Sequence, residues 1–488
     1  MRVSRECNFA GRLVERLGAN SDLVDAATGQ TIRAADVPST IVGFAASFLA
    51  HGLRPGDRIL ISCGVNPASA LAYLGAIYAG CIPVLVDERL LESSGAVIFT
   101  KASAKAVWST QRVRCDWTRE NGFSHITGNF EALPARSLRA AMCAESDLAA
   151  LMPTSGSTGD PKLVMVTHGN LIANTEAIIR SQGLEADEKA LLIMPVSYCF
   201  GTSIVHTHLY QGGGIVFDSR FMFPDKVLRA INQYRCTTFA GVPTVYNILL
   251  RRSHIASIAL PGLRRFLQAG GRFPSASIEE FCRIAPGPRF LVMYGQTEAT
   301  ARISCLPADR LADKLGSAGL PLDNLAVRIV NDAGHEIPHG QIGEIQVSGP
   351  SVCRGYLDDP EASQSKFTSG WLRTGDIGSR DQEGYLWIEG RLAEFIKVRG
   401  LRVSFAEIEA KVATVPGVHE CAVAGMHHPE SGEALALFVV GSDKASTLQE
   451  RVRRALPPLW TCSSIRVVPE LPRTANGKIA RSQLQTLE

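Results

Sequence analysis

The chain of 488 residues has little excess of charge of either sign. Its 50 Lys and Arg residues and 47 Asp and Glu residues leave a formal net charge of +3, which lacks the strongly basic character typical of nucleic-acid-binding proteins. Charged residues make up only 20% of the chain, whereas hydrophobic residues make up 45%. This composition excludes a disordered chain and indicates a globular protein. We expect no nucleic-acid partner, with a local basic patch as the open alternative.

The sequence also lacks zinc-binding cysteine patterns and targeting signals. Its twelve cysteines form no CxxC pair and show no zinc-ligand spacing, so we predict separate buried thiols in a reducing compartment. The first residues contain no apolar run like that of a signal peptide. The uncharged stretch 67–86 is broken by Gly75, Gly80 and Pro83, which favours a buried helix and strand over a membrane span. We therefore expect a cytoplasmic protein.

The length of the chain exceeds the roughly 250–300 residues that one hydrophobic core can serve, so at least two domains are expected. Between residues 148 and 295, short apolar runs alternate with helical patterns, which predicts a parallel sheet covered on both faces. Beyond residue 316, strands with turn signals predict hairpins. We predict an α/β fold. Residues 1–391 form a large domain of layered sheets and helices with a small β-barrel-like part, and residues 392–488 form a smaller α+β domain.

One loop has the composition of a polyphosphate-binding segment. The sequence TSGSTGDPK (Thr154–Lys162) combines four hydroxyl residues, two glycines and a lysine after an apolar run. Glycines let backbone N–H groups approach an anion, hydroxyls donate further hydrogen bonds, and Lys162 adds a positive charge. The spacing differs from that of a Walker loop. Taken alone, the segment could also be a polar hairpin that binds nothing.

Five further motifs follow this loop, and the six together resemble the adenylate-forming enzymes. This family includes acyl-CoA synthetases, the adenylation domains of non-ribosomal peptide synthetases, and firefly luciferase. The five motifs are AGGRFP (Ala269–Pro274), YGQTE (Tyr294–Glu298), WLRTGD (Trp371–Asp376), GRLAEFIKVRGLRVSFAEIE (Gly390–Glu409) and PRTANGKIAR (Pro472–Arg481). Each motif alone is weak evidence. Six motifs in the order expected for the family would rarely occur together by chance.

The resemblance implies an enzyme that uses ATP and Mg²⁺ to convert a small-molecule carboxylic acid to an acyl-AMP with release of pyrophosphate. The acyl group would then pass to a thiol, either coenzyme A or the phosphopantetheine of an acyl or peptidyl carrier protein. A free carboxylate is a poor acyl donor, whereas its mixed anhydride with AMP is a good one. Because the transition state gathers negative charge, cations and fixed hydrogen-bond donors matter most.

The resemblance also assigns catalytic roles to three residues of this sequence. Lys478 would bridge the carboxylate and the α-phosphate during adenylation, Glu298 would be the metal-binding residue for Mg²⁺, and Thr297 would donate a hydrogen bond to the α-phosphate. An exposed lysine near the C-terminus is the alternative interpretation of Lys478. A turn or helix cap is the alternative for Glu298.

The remaining nucleotide contacts are assigned in the same way. Tyr294 would stack on adenine, Asp376 would accept hydrogen bonds from the ribose hydroxyls, and Arg391 would support the ribose. Core packing, a cap and a surface salt bridge are the respective alternatives. The implied ATP-binding set is Thr154, Ser155, Gly156, Ser157, Thr158, Gly159, Lys162, Gly270, Gly271, Tyr294, Gly295, Gln296, Asp376 and Arg391.

For the transfer to the thiol, the resemblance implies that the C-terminal domain is a mobile lid that carries Lys478 and swings about a hinge. Lys397, Arg399 and Gly400 would then line the thiol path, although Gly400 could also be an ordinary turn glycine. The hinge position holds Ala393, where the family usually has Asp or Lys. We expect the domains to alternate nevertheless, because alanine restricts the backbone little.

The segment PVSYCFGTS (Pro195–Ser203) bears on the acid. Amino-acid-activating relatives have an aspartate where Cys199 stands, and a neutral thiol cannot compensate a buried ammonium group. We therefore predict an acid without an α-amino group. The candidate substrate pocket consists of Tyr198, Cys199, Thr202, Phe239, Ala240 and Gly241, together with Gly270 and Gly295, and ordinary sheet core is an equally good interpretation of this set.

Three other functions stay open at this point. The acyl-adenylate could react directly with an amine to form an amide. The chain could be a stand-alone adenylation enzyme for an amino acid. It could also be a binding or regulatory protein that keeps the fold without turnover, although the intact Glu298, Asp376 and Lys478 argue against this.

Overall fold

The computed structural model describes residues 3–110, 116–120, 124–128, 138–154, 161–392, 395–398, 401–428, 432–456, 462–473 and 479–484. The chain divides into two compact units. The first comprises residues 1–328, 346–373 and 381–387, and the second comprises residues 329–345, 374–380 and 388–488. The domain boundary at residues 391–392 stays a prediction.

The structure contains strands and helices in alternation. The strands are β1 Val3–Ser4, β2 Leu23–Asp25, β3 Thr31–Ile32, β4 Arg58–Cys63, β5 Ile82–Asp87, β6 Ala106–Ser109, β7 Ser124–Thr127, β8 Cys143–Ala144, β9 Leu148–Thr154, β10 Lys162–Thr167, β11 Lys189–Leu192, β12 Gly214–Phe217, β13 Thr238–Gly241, β14 Arg265–Gln268, β15 Arg289–Tyr294, β16 Ser304–Cys305, β17 Leu320–Pro321, β18 Ala326–Val330, β19 Gly343–Ser348, β20 Phe367–Thr368, β21 Trp371–Arg380, β22 Leu386–Arg391, β23 Phe395–Val398, β24 Leu401–Ser404, β25 Val418–His428, β26 Gly432–Gly441 and β27 Cys462–Val467. The helices are α1 Phe9–Val14, α2 Val37–Ala50, α3 Pro67–Tyr78, α4 Leu91–Lys101, α5 Asp116–Glu120, α6 His168–Gln182, α7 Cys199–Tyr210, α8 Pro224–Gln233, α9 Pro243–Arg252, α10 Ser275–Ile284, α11 Pro360–Lys366, α12 Phe405–Ala413, α13 Ala445–Ala455 and α14 Arg481–Leu484.

The largest sheet has nine strands in the order β17-β16-β15-β14-β13-β11-β12-β2-β3. The six neighbouring strands from β15 to β2 run parallel, which confirms the parallel sheet predicted from the apolar runs of residues 189–294. The carboxyl ends of parallel strands meet along one edge, where ligands usually bind. The loops that follow β13, β14 and β15 therefore lie side by side at that edge.

A second sheet of the first unit has six strands in the order β10-β9-β5-β4-β6-β7. Its β9 and β10 pair antiparallel, with Thr154 opposite Lys162. The uncharged stretch 67–86 forms α3 and most of β5. Asn66 caps α3 by accepting a hydrogen bond from Ser69, and Pro67 occupies the first turn, where its missing N–H costs nothing. Every residue of α3 is buried, as the absence of charge predicts.

The remaining sheets are smaller. Five strands form a sheet in the order β18-β19-β21-β20, with β22 paired to β21, where the sequence predicts a small β-barrel-like part. In the second unit, β25, β26 and β27 form a three-stranded sheet whose apolar side chains pack with those of α12 and α13. The α/β fold with layered sheets is confirmed. No helix among the described residues is long and apolar enough to cross a bilayer.

Candidate active site

Three predicted motif segments follow neighbouring strands of the nine-stranded sheet. The strand β13 ends at Gly241, β14 is followed by Ala269–Gly271, and β15 ends at Tyr294 with Gly295–Glu298 after it. Because β14 pairs in parallel with both β13 and β15, these three segments lie together at the carboxyl edge of the sheet. This is the edge where the alternating pattern predicts a ligand site.

Two glycines of these segments leave no room for a side chain. Gly270 has a φ of +85°, and a Cβ atom there would collide with the hydroxyl of Tyr198. A Cβ at Gly295 would collide with the carbonyl oxygen of Ala301. Tyr198, a pocket candidate, therefore lies directly against the AGGRFP motif, and only glycine allows this approach.

Glu298 is held by a residue that the sequence reasoning missed. The phenol Oη of Tyr356 donates a hydrogen bond of 2.7 Å to Glu298 Oε1, and the backbone N–H of Cys353 donates to the carbonyl of Glu298 at 2.9 Å. Burial and the neighbouring Glu298 raise the pKa of Tyr356, so the phenol remains a donor. Thr297 opens the short 3-10 turn Thr297–Ala299 that presents the carboxylate.

Backbone pairing brings Tyr356 to this position. The N–H of Met165 in β10 donates to the carbonyl of Gly355 at 2.9 Å, and the N–H of Leu357 donates to the carbonyl of Leu163 at 2.8 Å. The segment 354–357 thus extends the six-stranded sheet beside β10. The same pairing places Tyr356 next to Lys162, the first residue of β10.

Lys162 lies over the face of the Tyr356 ring, whose phenol oxygen contacts Glu298. Its Nζ is 5.1 Å from the ring centre and 3.9 Å from Asp359 Oδ2. Thr154 lies opposite Lys162, and its hydroxyl is 3.5 Å from the Lys162 carbonyl oxygen. Tyr356 thus contacts both Lys162 and Glu298. The intervening loop residues Ser155, Gly156, Ser157, Thr158 and Gly159 lie outside the described residues.

The second unit contains the other predicted acidic residue. Asp376 is only 3% exposed, and its Oδ1 is 2.7 Å from Nε of Arg391. The backbone N–H of Asp376 donates to the hydroxyl of Thr374 at 3.0 Å, which fixes the strand where the carboxylate projects. The salt bridge that the sequence left open for Arg391 is present, and Asp376 is its partner.

The candidate pocket residues differ in their surroundings. Phe239 is fully buried and packs edge-on against Tyr246 and Phe266, which favours sheet core for this residue. The hydroxyl of Thr202 donates to the carbonyls of Val196 and Tyr198, which favours a structural role.

The other pocket candidates are placed as follows. Ala240 is buried within β13, and a Cβ at Gly241 would come within 2.7 Å of the Val245 side chain. Cys199 is half-buried in the first turn of α7, directly after Tyr198.

Several predicted residues cannot be placed. Lys478, Ala393, Arg399 and Gly400 lie outside the described residues. Only the backbone of Lys397 is described, in β23. Their roles stay predictions.

The described donor set suits Mg²⁺. It comprises one half-buried carboxylate, Glu298, with the hydroxyl of Thr297 beside it in sequence. Mg²⁺ keeps several waters and commonly binds through one or two carboxylates together with substrate phosphates. The part of the chain that the structure describes contains no group of three or more His, Cys, Asp or Glu that could hold a metal by itself. A metal that arrives with a nucleotide fits these residues.

Comparison with known proteins identifies the class. The family model for AMP-binding enzymes matches residues 19–357, and that for the C-terminal domain of AMP-binding enzymes matches residues 407–478. The chain belongs to this family of adenylate-forming enzymes.

Individual relatives span nearly the whole chain. It is 31% identical to a feruloyl-CoA synthase of Amycolatopsis sp. over 94% of both chains. It is 27% identical to O-succinylbenzoate coenzyme A synthetase of Bacillus subtilis in complex with ATP and magnesium ion, with a TM-score of 0.85 and coverage of 98% and 99%. It is 25% identical to an amide bond synthetase of Marinactinospora thermotolerans, with a TM-score of 0.86 and coverage of 98% and 99%.

The predicted family and enzyme class are therefore confirmed. The chain is an AMP-forming acid–thiol ligase of the acyl-CoA synthetase type, which activates a carboxylic acid with ATP and then transfers the acyl group.

Proposed function

We propose that this enzyme is an acid–coenzyme A ligase for a carboxylic acid that has no α-amino group. The observation that carries the proposal is the arrangement of Lys162, Tyr356 and Glu298 beside the carboxyl ends of β13, β14 and β15. A cation and a metal-binding carboxylate suit a triphosphate, and an apolar strand edge suits an acyl group.

Each of these three side chains has its own task in acyl-adenylate formation. Glu298, oriented by the phenol of Tyr356, binds Mg²⁺, which supplies positive charge to the triphosphate when bound. Lys162 provides a second positive charge, and Thr297 donates a hydrogen bond to the α-phosphate. Fixed charges of this kind need no reorganisation while the pyrophosphate leaves.

In the second unit, Asp376 is the hydrogen-bond acceptor for the ribose hydroxyls, and Arg391 holds its carboxylate in place. Tyr294 and the backbone of Gly270–Gly271 bind the adenine. Lys478, carried by a C-terminal domain of residues 392–488, neutralises charge as the carboxylate attacks. Lys397, Arg399 and Gly400 line the thiol path after that domain has turned about Ala393. These roles rest on the resemblance.

Two findings support an acid without an α-amino group and coenzyme A as its acceptor. The relatives named above include two coenzyme A ligases for acids that lack an α-amino group, feruloyl-CoA synthase and O-succinylbenzoate coenzyme A synthetase. In this chain, Cys199 supplies no carboxylate that could pair with an ammonium group at the start of α7. Transfer to a carrier-protein phosphopantetheine or directly to an amine is the competing outcome, and the amide bond synthetase shows that the fold hosts such a reaction.

The test is acid-dependent exchange of pyrophosphate into ATP over a panel of fatty, aryl, dicarboxylic and amino acids. The best acid is then incubated with ATP and either coenzyme A, a phosphopantetheine-loaded carrier protein or amines, and the products are identified by mass. We expect exchange without an amino acid and a coenzyme A thioester. A preference for an α-amino acid, or an amide as the only product, would refute the proposal.

The hinge is tested separately. Proline at position 393 fixes φ near −65°, so Ala393→Pro should abolish thioester formation while pyrophosphate exchange continues. Normal thioester formation by this variant would refute the hinge assignment. Ala393→Ser, which leaves the backbone free, is the matched control.

A further inference from the structure

A buried arginine in the loop after the YGQTE motif has hydrogen-bonding capacity that the described residues do not use. Arg302 is 2% exposed, and its guanidinium Nε and Nη2 have no hydrogen-bond partner among the described residues. Its backbone, in contrast, is fixed by Asn174. The amide Nδ2 of Asn174 donates to the Arg302 carbonyl at 2.9 Å, and the Arg302 N–H donates to Asn174 Oδ1 at 3.3 Å.

Among the described residues, the groups that surround the guanidinium provide no counter-charge. Its Cζ lies 4.8 Å from the ring centre of Phe200, a cation–π contact. The groups that act on it electrostatically are the thiols of Cys305 and Cys199 and the phenol of Tyr198. None of these is a carboxylate. Burial lowers the pKa of Arg302, yet an arginine stays charged at neutral pH.

A second buried arginine shows how this fold compensates such a charge elsewhere. Arg265 is 1% exposed, and its Nη2 donates to Glu188 Oε1 at 2.7 Å, with Glu188 equally buried. The other two guanidinium nitrogens of Arg265, Nε and Nη1, also lack a partner among the described residues, so the carboxylate is what distinguishes it from Arg302. A buried charge that lacks such a partner destabilises a protein strongly. An anion that enters with a ligand would supply the missing partner of Arg302.

The position of Arg302 indicates that this anion belongs to the acid substrate. The residue follows Glu298 by four positions, and its neighbours Tyr198 and Cys199 form the start of α7, where the substrate segment lies. Tyr198 also touches Gly270. The side chain of Tyr198 makes no capping hydrogen bond to α7, and the N-terminus of a helix of this length favours negative charge. The guanidinium contacts Phe200 in the first turn of α7, so the guanidinium and the helix N-terminus both favour an anion near this turn.

We propose that Arg302 pairs with a second carboxylate of the substrate, so that the acid which this enzyme activates is a dicarboxylic acid. One carboxylate reacts with ATP, and the other accepts charge-assisted hydrogen bonds from the guanidinium. This inference rests on the proposed function, because it requires that an acid is adenylated at this site. It also explains why an α-ammonium group would be rejected, since that group would face a buried cation.

The experiment compares acids of matched carbon skeleton, with and without the second carboxylate, in the pyrophosphate exchange assay. The series consists of linear C4 to C8 mono- and dicarboxylic acids and arylpropanoic acids with or without a ring carboxylate. We expect the best dicarboxylic acid to have a KM at least about tenfold below that of its monocarboxylic counterpart. In Arg302→Met that advantage disappears, with a rise in the KM of the diacid of about a hundredfold and little change for the monoacid. Arg302→Lys, which keeps the charge, retains part of the preference.

The ratio of the two KM values, and not activity alone, is the readout, because a structural defect would affect both acids alike. The comparison with wild-type enzyme needs no variant, so it stands even if Arg302→Met fails to fold. A wild-type preference for the monocarboxylic acids, or an unchanged ratio in Arg302→Met, would overturn the inference while leaving the adenylation function intact. Exchange with α-amino acids only, and with no acid that lacks an α-amino group, would overturn the proposed function itself.

Discussion

The two carboxylates assigned to the nucleotide are held in opposite ways. Glu298, in the first unit, accepts its hydrogen bond from the neutral phenol of Tyr356. Asp376, in the second unit, is paired with the guanidinium of Arg391. A carboxylate oriented by a neutral donor keeps its full negative charge for a metal ion. A carboxylate already compensated by a cation is suited to accept hydrogen bonds from neutral hydroxyls. The difference in partners supports the proposed division of tasks, in which Glu298 binds a metal ion and Asp376 accepts hydrogen bonds from the ribose.

The largest effect is expected for Glu298→Gln. The substitution keeps the shape and the hydrogen-bond acceptor for Tyr356 but removes the charge that a metal needs. We expect pyrophosphate exchange to fall by about 10³-fold, comparable to the loss of a main transition-state contact. An activity within tenfold of wild type at saturating Mg²⁺ would contradict the metal role. Glu280→Gln, on an exposed salt bridge with Arg251, is the matched control.

A smaller effect is expected for Asp376→Asn. The amide accepts hydrogen bonds more weakly than the carboxylate and no longer balances Arg391, so the KM for ATP should rise by about tenfold to a hundredfold. The effect should shrink with 2′-deoxy-ATP or 3′-deoxy-ATP, which each lack one hydroxyl, and nearly vanish with 2′,3′-dideoxy-ATP, which lacks both hydroxyls that Asp376 would bind. Equal effects on ATP and its deoxy analogues would rule out the ribose assignment.

Tyr356→Phe tests the hydrogen-bond partner of Glu298 and not the carboxylate itself. It removes the neutral donor to Glu298 while preserving the ring beside Lys162. Outer partners of metal ligands typically account for about 10–100-fold in metal affinity or activity, and we expect about a tenfold increase in the Mg²⁺ concentration that gives half-maximal exchange. Tyr385→Phe, a buried tyrosine beside Lys314 and Arg310, is the control. An unchanged Mg²⁺ requirement in Tyr356→Phe would mean that the hydrogen bond is only structural.

The smallest effect is expected for Asp359→Asn. The carboxylate lies 3.9 Å from Lys162, and both side chains are about 30% exposed, so solvent screens the pair and it is worth about 1 kcal/mol or less. Exchange should stay within about threefold of wild type, whereas Lys162→Met should lower it by tenfold or more. If Asp359→Asn were as damaging as Lys162→Met, Lys162 would act through the salt bridge and not on phosphate.

The sequence predicts the scaffold well because the scaffold depends on local patterns, whereas the roles of the acidic residues stay predictions. The apolar runs that form β11 to β15 and the order of the motifs place Glu298 at a strand end without any knowledge of distant contacts. Tyr356 could not be found in this way. It reaches Glu298 only because residues 354–357 pair with β10, far away in the chain.

Two other features also needed the structure. Strands of a parallel sheet are buried on both faces, so alternation does not reveal which side chains face a ligand. Phe239 was an equally good candidate for pocket or core, and its aromatic neighbours favour core. The lack of a carboxylate partner for Arg302 among the described residues is a property of its surroundings and leaves no trace in the sequence.

The most direct test of the account is the Mg²⁺ dependence of ATP binding, measured by calorimetry for wild type, Glu298→Gln and Asp376→Asn. The account predicts that Mg²⁺ strengthens ATP binding to wild type and to Asp376→Asn but not to Glu298→Gln. It also predicts that only Asp376→Asn loses the preference for ATP over its 2′- and 3′-deoxy analogues. If both variants lost the Mg²⁺ effect, or if both lost the preference for ATP over its deoxy analogues, the division of tasks between the two carboxylates would be wrong.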